Sequence, residues 1–271
     1  SLNNLLGGKG ANLAEMSNMK IPVPPGFTIT TEVCNYFTEN NKLPDNLDNE
    51  IRKAVKNLES LSDKSFGGEG TPLLLSVRSG GRVSMPGMMD SVLNIGLNDS
   101  NVFQLAEAFN DERFALDSYR RLIQMYSNVV LGVEHERFEA VLANKKRMDN
   151  VVSDADFNVD QLNWIINAYK NTVERFTDSL FPQDPYEQLT GAIEAVFNSW
   201  QNKRAVIYRK INNIPDSWGT GATIQSMVFG NLNDKSGTGV AFTRNPSNGD
   251  KELYGEYLIN AQGEDVVAGI R

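Results

Sequence analysis

The sequence predicts an α+β fold in which two mixed segments flank a helical one. Residues 1–99 and 185–271 combine glycine-rich turns with short runs of β-branched and aromatic residues, the pattern of short strands. Between them, residues 100–184 place apolar residues three and four apart, as in amphipathic helices. We therefore expect an α+β N-terminal lobe at 1–99, a helical subdomain at 100–184 and a partial second lobe at 185–271.

The composition limits the class of protein. The chain has 271 residues, 40% of them hydrophobic, which is enough for two or three packed units. Its formal charge of −8 argues against a nonspecific nucleic-acid binder, which needs a basic face. No apolar run approaches the roughly 20 residues of a membrane span, so we expect no membrane partner. The single cysteine, Cys34, fits a reducing compartment, and we expect a cytoplasmic protein, with organellar targeting left open.

The N-terminal segment begins with a glycine turn that feeds a short helix at residues 5–16. Such a turn presents backbone N–H groups and a helix N-terminus, and both favour anions. Lys9 follows two glycines at a position where a phosphate could bind, but the spacing is not that of a Walker loop. A plain helix-capping turn is the alternative.

Prolines and Gly26 then precede a short predicted strand at residues 27–30, after which Thr31 can cap a helix. A second helix is predicted at residues 45–61, with Leu47, Ile51, Val55 (or Ala54) and Leu58 on one face. A strand at residues 73–77 follows a polar, glycine-rich connection.

The stretch from Ser76 to Asp90 is the hardest part of the chain to explain as packing. Its glycines allow positive φ and the close approach of a ligand. Arg78 and Arg82 add planar guanidinium groups that fit phosphate oxygens. We interpret the stretch as a loop that binds an anion beside a strand end. The alternative is a surface loop whose arginines pair with carboxylates.

The helical segment carries few candidates for chemistry. Helices are predicted at residues 103–109, 114–130, 135–142 and 159–176, with a charged loop at 144–150. His135 is the only histidine, and it has no second histidine or cysteine nearby in sequence. We expect it to be an exposed structural residue rather than a metal ligand or nucleophile.

The last segment starts with a helix at Pro185 and then turns to β structure. Strands are predicted at residues 236–243, 253–259 and 266–270, with a turn at Asn248-Gly249. Gly237 and Gly239 mark a second tight approach of the backbone, although ordinary hairpin residues are the alternative. Glu256 and Glu264 supply carboxylates nearby in sequence.

Ordered blocks that run nearly from end to end resemble one family, the N-terminal nucleotide-binding domain of the pyruvate, phosphate dikinases. The blocks are residues 7–16 (GGKGANLAEM), 76–80 (SVRSG), 84–90 (SMPGMMD), 118–126 (SYRRLIQMY), 237–246 (GTGVAFTRNP) and 254–269 (YGEYLINAQGEDVVAG). The block at 84–90 and the NAQGEDVV part of the last one favour this family over the related phosphoenolpyruvate synthases.

The resemblance implies an ATP-grasp fold, in which ATP lies between two α+β lobes, and it implies site residues by matched position. Lys9 and Arg78 would contact the phosphates, with Arg82 as a further cation and Arg78 as the catalytic residue. The adenine pocket would be lined by Gln225, Met227 and Val228. The loop over the phosphates would be formed by Gly237, Thr238 and Gly239. Glu256 is a weaker assignment for the ribose or magnesium region.

The family's reaction interconverts ATP, phosphate and pyruvate with AMP, pyrophosphate and phosphoenolpyruvate. Its carrier is a phosphohistidine on a separate domain, and His135 matches no carrier motif. The family's acidic Mg²⁺ ligands are expected mostly beyond Arg271, so no metal ligand is assigned here. The family's usual first strand is also missing from the chain. We therefore expect this chain to bind ATP weakly and to transfer no phosphoryl group by itself.

Three functions stay open at this point. The parent protein is a pyruvate, phosphate dikinase, a phosphoenolpyruvate synthase-like phosphotransferase, or a noncatalytic nucleotide-binding module. The expected partners are ATP and the phosphohistidine carrier domain of the same full-length protein, with no nucleic acid. A homodimeric parent is open, although nothing in the chain fixes the oligomeric state.

Overall fold

The chain divides into two compact units between Met227 and Val228. The structure, a computed structural model, describes residues 1–268. This division differs from the boundaries expected at 99 and 184, because the strand at 220–226 is hydrogen-bonded to strands of the N-terminal segment. The three-segment division stays a prediction about domains.

Helices of the first unit lie close to the positions that apolar spacing predicts. They are α1 (Leu2–Asn18), α2 (Thr31–Asn40), α3 (Leu47–Ser62), α4 (Asn101–Phe109), α5 (Glu112–Val129), α6 (His135–Asp149), α7 (Val159–Thr177), α8 (Pro185–Ser199) and α9 (Lys203–Ile211). The predicted apolar face of α3 is buried through Leu47, Ile51, Val55 and Leu58. The N-cap of α2 is Thr30, one residue before the predicted Thr31. Across residues 1–268, no helix is both long and apolar enough to span a membrane.

An antiparallel sheet of four strands belongs to the first unit. The strands are β1 (Gly26–Ile29), β2 (Leu75–Gly81), β3 (Ser91–Ile95) and β4 (Thr220–Ser226), in the order β1-β4-β2-β3. β2 pairs with β4 along its whole length, from Leu75 opposite Ser226 to Gly81 opposite Thr220. The strand predicted at 73–77 therefore continues through residues that the sequence pattern had assigned to a loop.

Side chains alternate along β2, so the two faces of the strand have different neighbours. A Cβ atom added at Gly80 would lie 3.2 Å from Cβ of Lys9 on α1. One added at Gly81 would lie 3.8 Å from Cζ3 of Trp200, the residue that follows α8. The end of β2 is therefore packed between α1 and the C-terminal end of α8.

Gly7 interrupts α1 and confirms the predicted glycine turn. Its φ of 70° and ψ of 169° are not helical and lie in a region open almost only to glycine. A Cβ atom there would overlap the carbonyl oxygen of Gly80 on β2. The kink brings the backbone of α1 against the strand and starts a new helical segment at Gly8 and Lys9.

Helices α4 to α7 confirm the predicted helical segment, which carries a buried ion pair. In α5 the carboxylate of Asp117 lies 2.8 Å from the guanidinium of Arg120 and 3.0 Å from that of Arg121. Burial opposes the charge on Asp117, but the two arginines hold the pKa of that carboxyl well below its usual range. Both arginines that hold Asp117 belong to the same helix, which points to stability rather than chemistry.

The charged loop predicted at 144–150 is wrong, because these residues form the last turns of α6 and its cap. α6 ends at Asp149, and Asn150 caps it in the left-handed conformation with φ of 56°. Phe138 and Leu142 are the buried residues of α6, so its charged residues form an exposed face. Lys145 pairs with Asp149 at 2.8 Å, one helical turn away. His135 begins this helix and is exposed, as predicted.

The second unit contains a hairpin and a short helix. The hairpin strands are β5 (Gly237–Phe242) and β6 (Tyr254–Ile259), and the helix is α10 (Gly263–Ala268). The predicted turn at Asn248-Gly249 is confirmed, with Gly249 at φ of 81°. The strand predicted at 266–270 is wrong for residues 266–268, which are helical, and its remainder lies outside the described residues. The N–H of Gln262 donates to the Asp265 carboxylate at 2.9 Å, which favours the start of a helix there.

Candidate phosphate-binding cleft

A cleft beside the end of β2 brings together the basic residues that the sequence singled out. It has a volume of about 540 Å³. Lys9, Arg78 and Arg82 all line it, together with the glycine pair Gly80 and Gly81. Cationic side chains next to exposed glycine backbone form a surface that favours an anion. The three residues are separated by up to 73 positions in sequence, and they lie close together because α1 packs against β2.

Arg78 lies on strand β2 rather than in a loop, which corrects the local prediction. Its backbone is paired with Thr223 of β4 and Ser91 of β3. Gly80 and Gly81 disfavour a strand locally, but β4, about 145 residues later, pairs with this segment and supplies the backbone hydrogen bonds that make it a strand. The Arg78 side chain is exposed. Within residues 1–268 no ion pair involves it, so its guanidinium remains available to a ligand.

Lys9 reaches across from α1 to the strand. Its Nζ donates a hydrogen bond to the carbonyl oxygen of Ser79 at 2.9 Å. Burial, and then the positive charge of Arg78, lowers the pKa of Lys9 from 10.5 to about 8. Because both causes disfavour the cation, the negative charge of an anion bound beside Lys9 would offset them and raise the pKa again. The unfavourable electrostatic environment of the Lys9 cation is consistent with the phosphate contact that the sequence predicts for Lys9.

The segment between β2 and β3 closes one side of the cleft and is fastened at its far end. The Asp90 carboxylate forms an ion pair with Arg204 of α9 and accepts a hydrogen bond from Asn202 at 3.1 Å. The N–H of Asp90 donates to the hydroxyl of Ser199 at 3.2 Å. Arg204 also donates to the carbonyl oxygen of Met88 at 3.2 Å. The predicted loop is thus present at residues 82–90, and the start of α9 fixes its end.

Gln225 and Met227, two of the residues predicted to line the adenine pocket, are not among the residues that line the cleft. Gln225 lies on β4, donates to the carbonyl oxygen of Pro24 at 3.0 Å, and lines a separate cavity of about 190 Å³ beside α1. Met227 is buried, and its sulfur accepts a hydrogen bond from the N–H of Asn94. Val228 is exposed and belongs to the second unit.

The second unit holds the other predicted residues. Gly237, Thr238 and Gly239 lie on β5 and not in a loop, because β6 pairs with them in register. Glu256 is exposed on β6, opposite Val240. Val228, Gly237 and Thr238 help line a cleft of about 390 Å³ within this unit. The Thr238 hydroxyl donates to the carbonyl oxygen of Ala261 at 2.7 Å, which fastens the start of the hairpin.

A family model matches the chain in two overlapping stretches, residues 3–66 and 42–271. The model is described as the pyruvate phosphate dikinase AMP/ATP-binding domain. The chain belongs to this family. The resemblance seen in the ordered sequence blocks is thereby confirmed.

Relatives within the family are close in sequence and longer than this chain. The chain is 55% identical over 267 residues to pyruvate, phosphate dikinase of Rhizobium meliloti (strain 1021), which covers 98% of the chain and 30% of that protein. It is 52% identical over 273 residues to the Clostridium symbiosum protein of the same name, with coverages of 100% and 31%. It is also 52% identical over 271 residues to the chloroplastic protein of Mesembryanthemum crystallinum, with coverages of 100% and 28%. The chain thus spans about three tenths of the length of these curated relatives.

Magnesium, whose ligands are expected from the family resemblance mostly beyond Arg271, does not fit the residues that line the cleft. Asp90 is the carboxylate among the residues that line it, and Arg204 and Asn202 already engage it. Across residues 1–268, no group of three or more acidic, histidine or cysteine side chains is arranged to hold a metal ion. The residues that line the cleft therefore do not supply a set of metal ligands.

Two contacts at the cleft have no signal in the local sequence. The ion pair of Asp90 with Arg204 joins residues 114 positions apart. Trp218 lies against the guanidinium of Arg82, with 5.3 Å between Cζ and the ring centroid. Both contacts arise from the packing of α8, α9 and β4 around the end of β2, which local pattern does not encode.

Proposed function

We propose that the cleft of Lys9, Arg78 and Arg82 binds the phosphates of ATP, and that this chain is the ATP-binding part of a pyruvate, phosphate dikinase. That enzyme interconverts ATP, phosphate and pyruvate with AMP, pyrophosphate and phosphoenolpyruvate. The carrying observation is the convergence of three cationic side chains on glycine backbone in one cleft. Membership of an AMP/ATP-binding family supports the choice of ligand.

Each cation has a distinct part in this proposal. Lys9 is held by the Ser79 carbonyl oxygen and places one point charge at the start of the second segment of α1. Arg78 stands on a paired strand, so its guanidinium starts from a fixed backbone and contacts the phosphate that is transferred. Arg82 adds a second guanidinium at the start of the loop. Phosphoryl transfer depends mainly on positioning and charge stabilisation, which these residues supply.

The finer assignments belong to the same proposal. We propose an ATP-grasp-type fold, with adenine contacts from Gln225, Met227 and Val228 and phosphate contacts from residues 237–239. Glu256 is proposed for the ribose or magnesium region. The proposed partner is a phosphohistidine carrier domain of the same protein, and a homodimer is the proposed oligomeric state. A cytoplasmic location is proposed, with a plastid as the alternative that the chloroplastic relative suggests.

The test separates recognition of phosphate from recognition of adenosine. ATP, inorganic tripolyphosphate and adenosine are titrated calorimetrically into the 271-residue chain. ATP and tripolyphosphate should compete, and adenosine should not displace tripolyphosphate. Arg78→Ala should weaken ATP binding roughly 10- to 150-fold, the loss of about 1.5–3 kcal/mol from charged hydrogen bonds.

The matched control is Arg147→Ala, which removes an exposed arginine that donates a hydrogen bond to Asn144 on the same helix. It should leave the Kd unchanged, and both variants should keep the wild-type Tm. In the full-length protein, Arg78→Ala should also lower turnover strongly. An unchanged Kd for Arg78→Ala, or displacement of bound tripolyphosphate by adenosine, overturns the proposal.

A further inference from the structure

Trp218 supports one of the cations of the cleft from behind. It ends a short 3-10 turn, Asp216–Trp218, that leads through Gly219 into β4. The Cζ atom of Arg82 lies 5.3 Å from the centroid of the Trp218 ring. A guanidinium at this distance from an indole is attracted by the negative face of the ring.

The turn that carries Trp218 is held from several sides. Trp200 donates its indole N–H to the carbonyl oxygen of Asp216 at 3.0 Å. The fully buried Arg209 donates Nε to the Asp216 carboxylate at 2.8 Å and stacks on Trp200 at 4.0 Å. Asn35 of α2 donates to the carbonyl oxygen of Ser217 at 2.9 Å. Contacts from α2, α9 and the end of α8 therefore fix the backbone that presents the Trp218 ring.

No carboxylate among residues 1–268 holds Arg82. Within residues 1–268 no ion pair involves Arg82, and its Nε atom is buried without a hydrogen-bond acceptor. Asp90, which lines the same cleft, is paired with Arg204 instead. A carboxylate partner would neutralise Arg82 and occupy its donors. An aromatic ring restricts the same guanidinium and leaves its full charge and terminal N–H groups for a ligand.

We propose that Trp218 is a positioning residue that holds Arg82 in the orientation that binds phosphate. The inference rests on the proposed function of the cleft, and it adds the means by which one cation is oriented without being neutralised. Trp218 acts through Arg82 and does not touch the phosphate.

The first experiment compares Trp218→Leu with Trp218→Phe in titrations of ATP and tripolyphosphate into the chain. Leucine removes the π face, and the Kd for both ligands should rise roughly 3- to 30-fold, the range of a cation–π contact converted to affinity. Phenylalanine keeps a weaker π face and should restore most of the affinity. The matched control is Trp164→Leu, which removes a ring that lies 4.9 Å from Lys145 Nζ in the helical region. It should leave both Kd values unchanged.

A double-mutant cycle distinguishes positioning from general support of the fold. Arg82→Ala should weaken binding, and adding Trp218→Leu to it should have no further effect, because the residue that Trp218 positions is already gone. Additive losses, in which Trp218→Leu weakens binding equally in the wild type and in Arg82→Ala, overturn the inference. The chain contains three tryptophans, so fluorescence gives a second readout should Trp218→Leu not fold. Tripolyphosphate should change the emission of the wild type and of Trp164→Phe, and the change should be much smaller in Trp218→Phe, which keeps Trp200 beside Gly81.

Failure of this inference is distinguishable from failure of the proposed function. If Arg78→Ala weakens ATP binding and Trp218→Leu does not, the cleft binds phosphate and the positioning role is wrong. If neither Arg78→Ala nor Arg82→Ala changes the Kd, the proposed function itself is wrong.

Discussion

ATP binding to the cleft should weaken as the pH rises through about 8, because Lys9 loses its proton there. The pKa of Lys9 is lowered from 10.5 to about 8 by burial and by Arg78. Its protonated fraction then falls from roughly three quarters near pH 7.5 to roughly one tenth near pH 9. If only the charged form binds well, the apparent Kd rises about eightfold over that interval.

The same pKa predicts proton uptake on binding. Near pH 8, about half of the Lys9 side chains are neutral, and bound phosphate restores the charge by raising the pKa. Titration calorimetry in buffers of different ionisation enthalpy should show an uptake of about 0.5 proton per ATP near pH 8. Lys9→Arg, which keeps its charge throughout, should bind with a flat pH profile and little uptake.

In the unbound chain, the same pKa makes the free energy of unfolding rise with pH, whereas the affinity for ATP falls. Between about pH 8 and about pH 10.5 the unfolded state holds the Lys9 proton more tightly than the folded state, so this group makes stability rise with pH. The full effect is about 3 kcal/mol, and Lys9→Met should remove it from a denaturation series. An ATP Kd that is constant from pH 7.5 to 9, or that changes in parallel in Lys9→Arg, would refute the assignment.

Two substitutions test the scaffold around the cleft. Gly7→Ala should cost more than about 2 kcal/mol of unfolding free energy, because it combines a φ of 70° with overlap of the Gly80 carbonyl oxygen. Gly87→Ala, at the same φ but with open space, should cost about 1 kcal/mol, and equal losses in Tm would contradict this account. Asp117→Asn should cost about 3–5 kcal/mol because it removes the buried negative charge that Arg120 and Arg121 share, whereas Asp48→Asn at an exposed pair should barely change the Tm. Because the Asp117 pKa is depressed, its contribution is present above the ordinary carboxyl pKa and is lost on acidification, so Asp117→Asn should flatten the acid side of the stability profile.

The helices could be predicted because their information is local. The buried face of α3 is written in the spacing of Leu47, Ile51, Val55 and Leu58. The same local information is misleading where a helix is mostly exposed. With few apolar residues in its last turns, α6 resembles a charged loop at 144–150, although ion pairs one turn apart suit a solvated helix.

Strand bounds depended on partners far away in sequence. Gly80 and Gly81 favour a loop locally, yet β4 pairs with them through Gly221 and Thr220. At the other end of the chain, Val266 favours a strand by propensity, but Gln262 and Asp265 begin a helix around it. Tertiary pairing in the first case and helix capping in the second outweigh residue preference.

The cleft was partly predictable from residue chemistry. Glycines beside Lys9, Arg78 and Arg82 indicate phosphate binding before any fold is known. The lowered pKa of Lys9 and the support of Arg82 by Trp218 could not be predicted, because they depend on burial and on contacts 136 positions apart. The sequence indicated which groups are candidates to meet a phosphate, and the packing determines how they are held.

The most direct test of the central claim is a map of backbone amide chemical shifts during titration of the labelled chain with inorganic tripolyphosphate. This probe carries the phosphates of ATP without the adenosine, so it reports phosphate binding alone. The account predicts saturable shifts that are largest at Gly8, Lys9, Gly80, Gly81 and Arg82 around the 540 Å³ cleft. Saturation with these five amides unmoved, and with shifts confined to other residues, would contradict it.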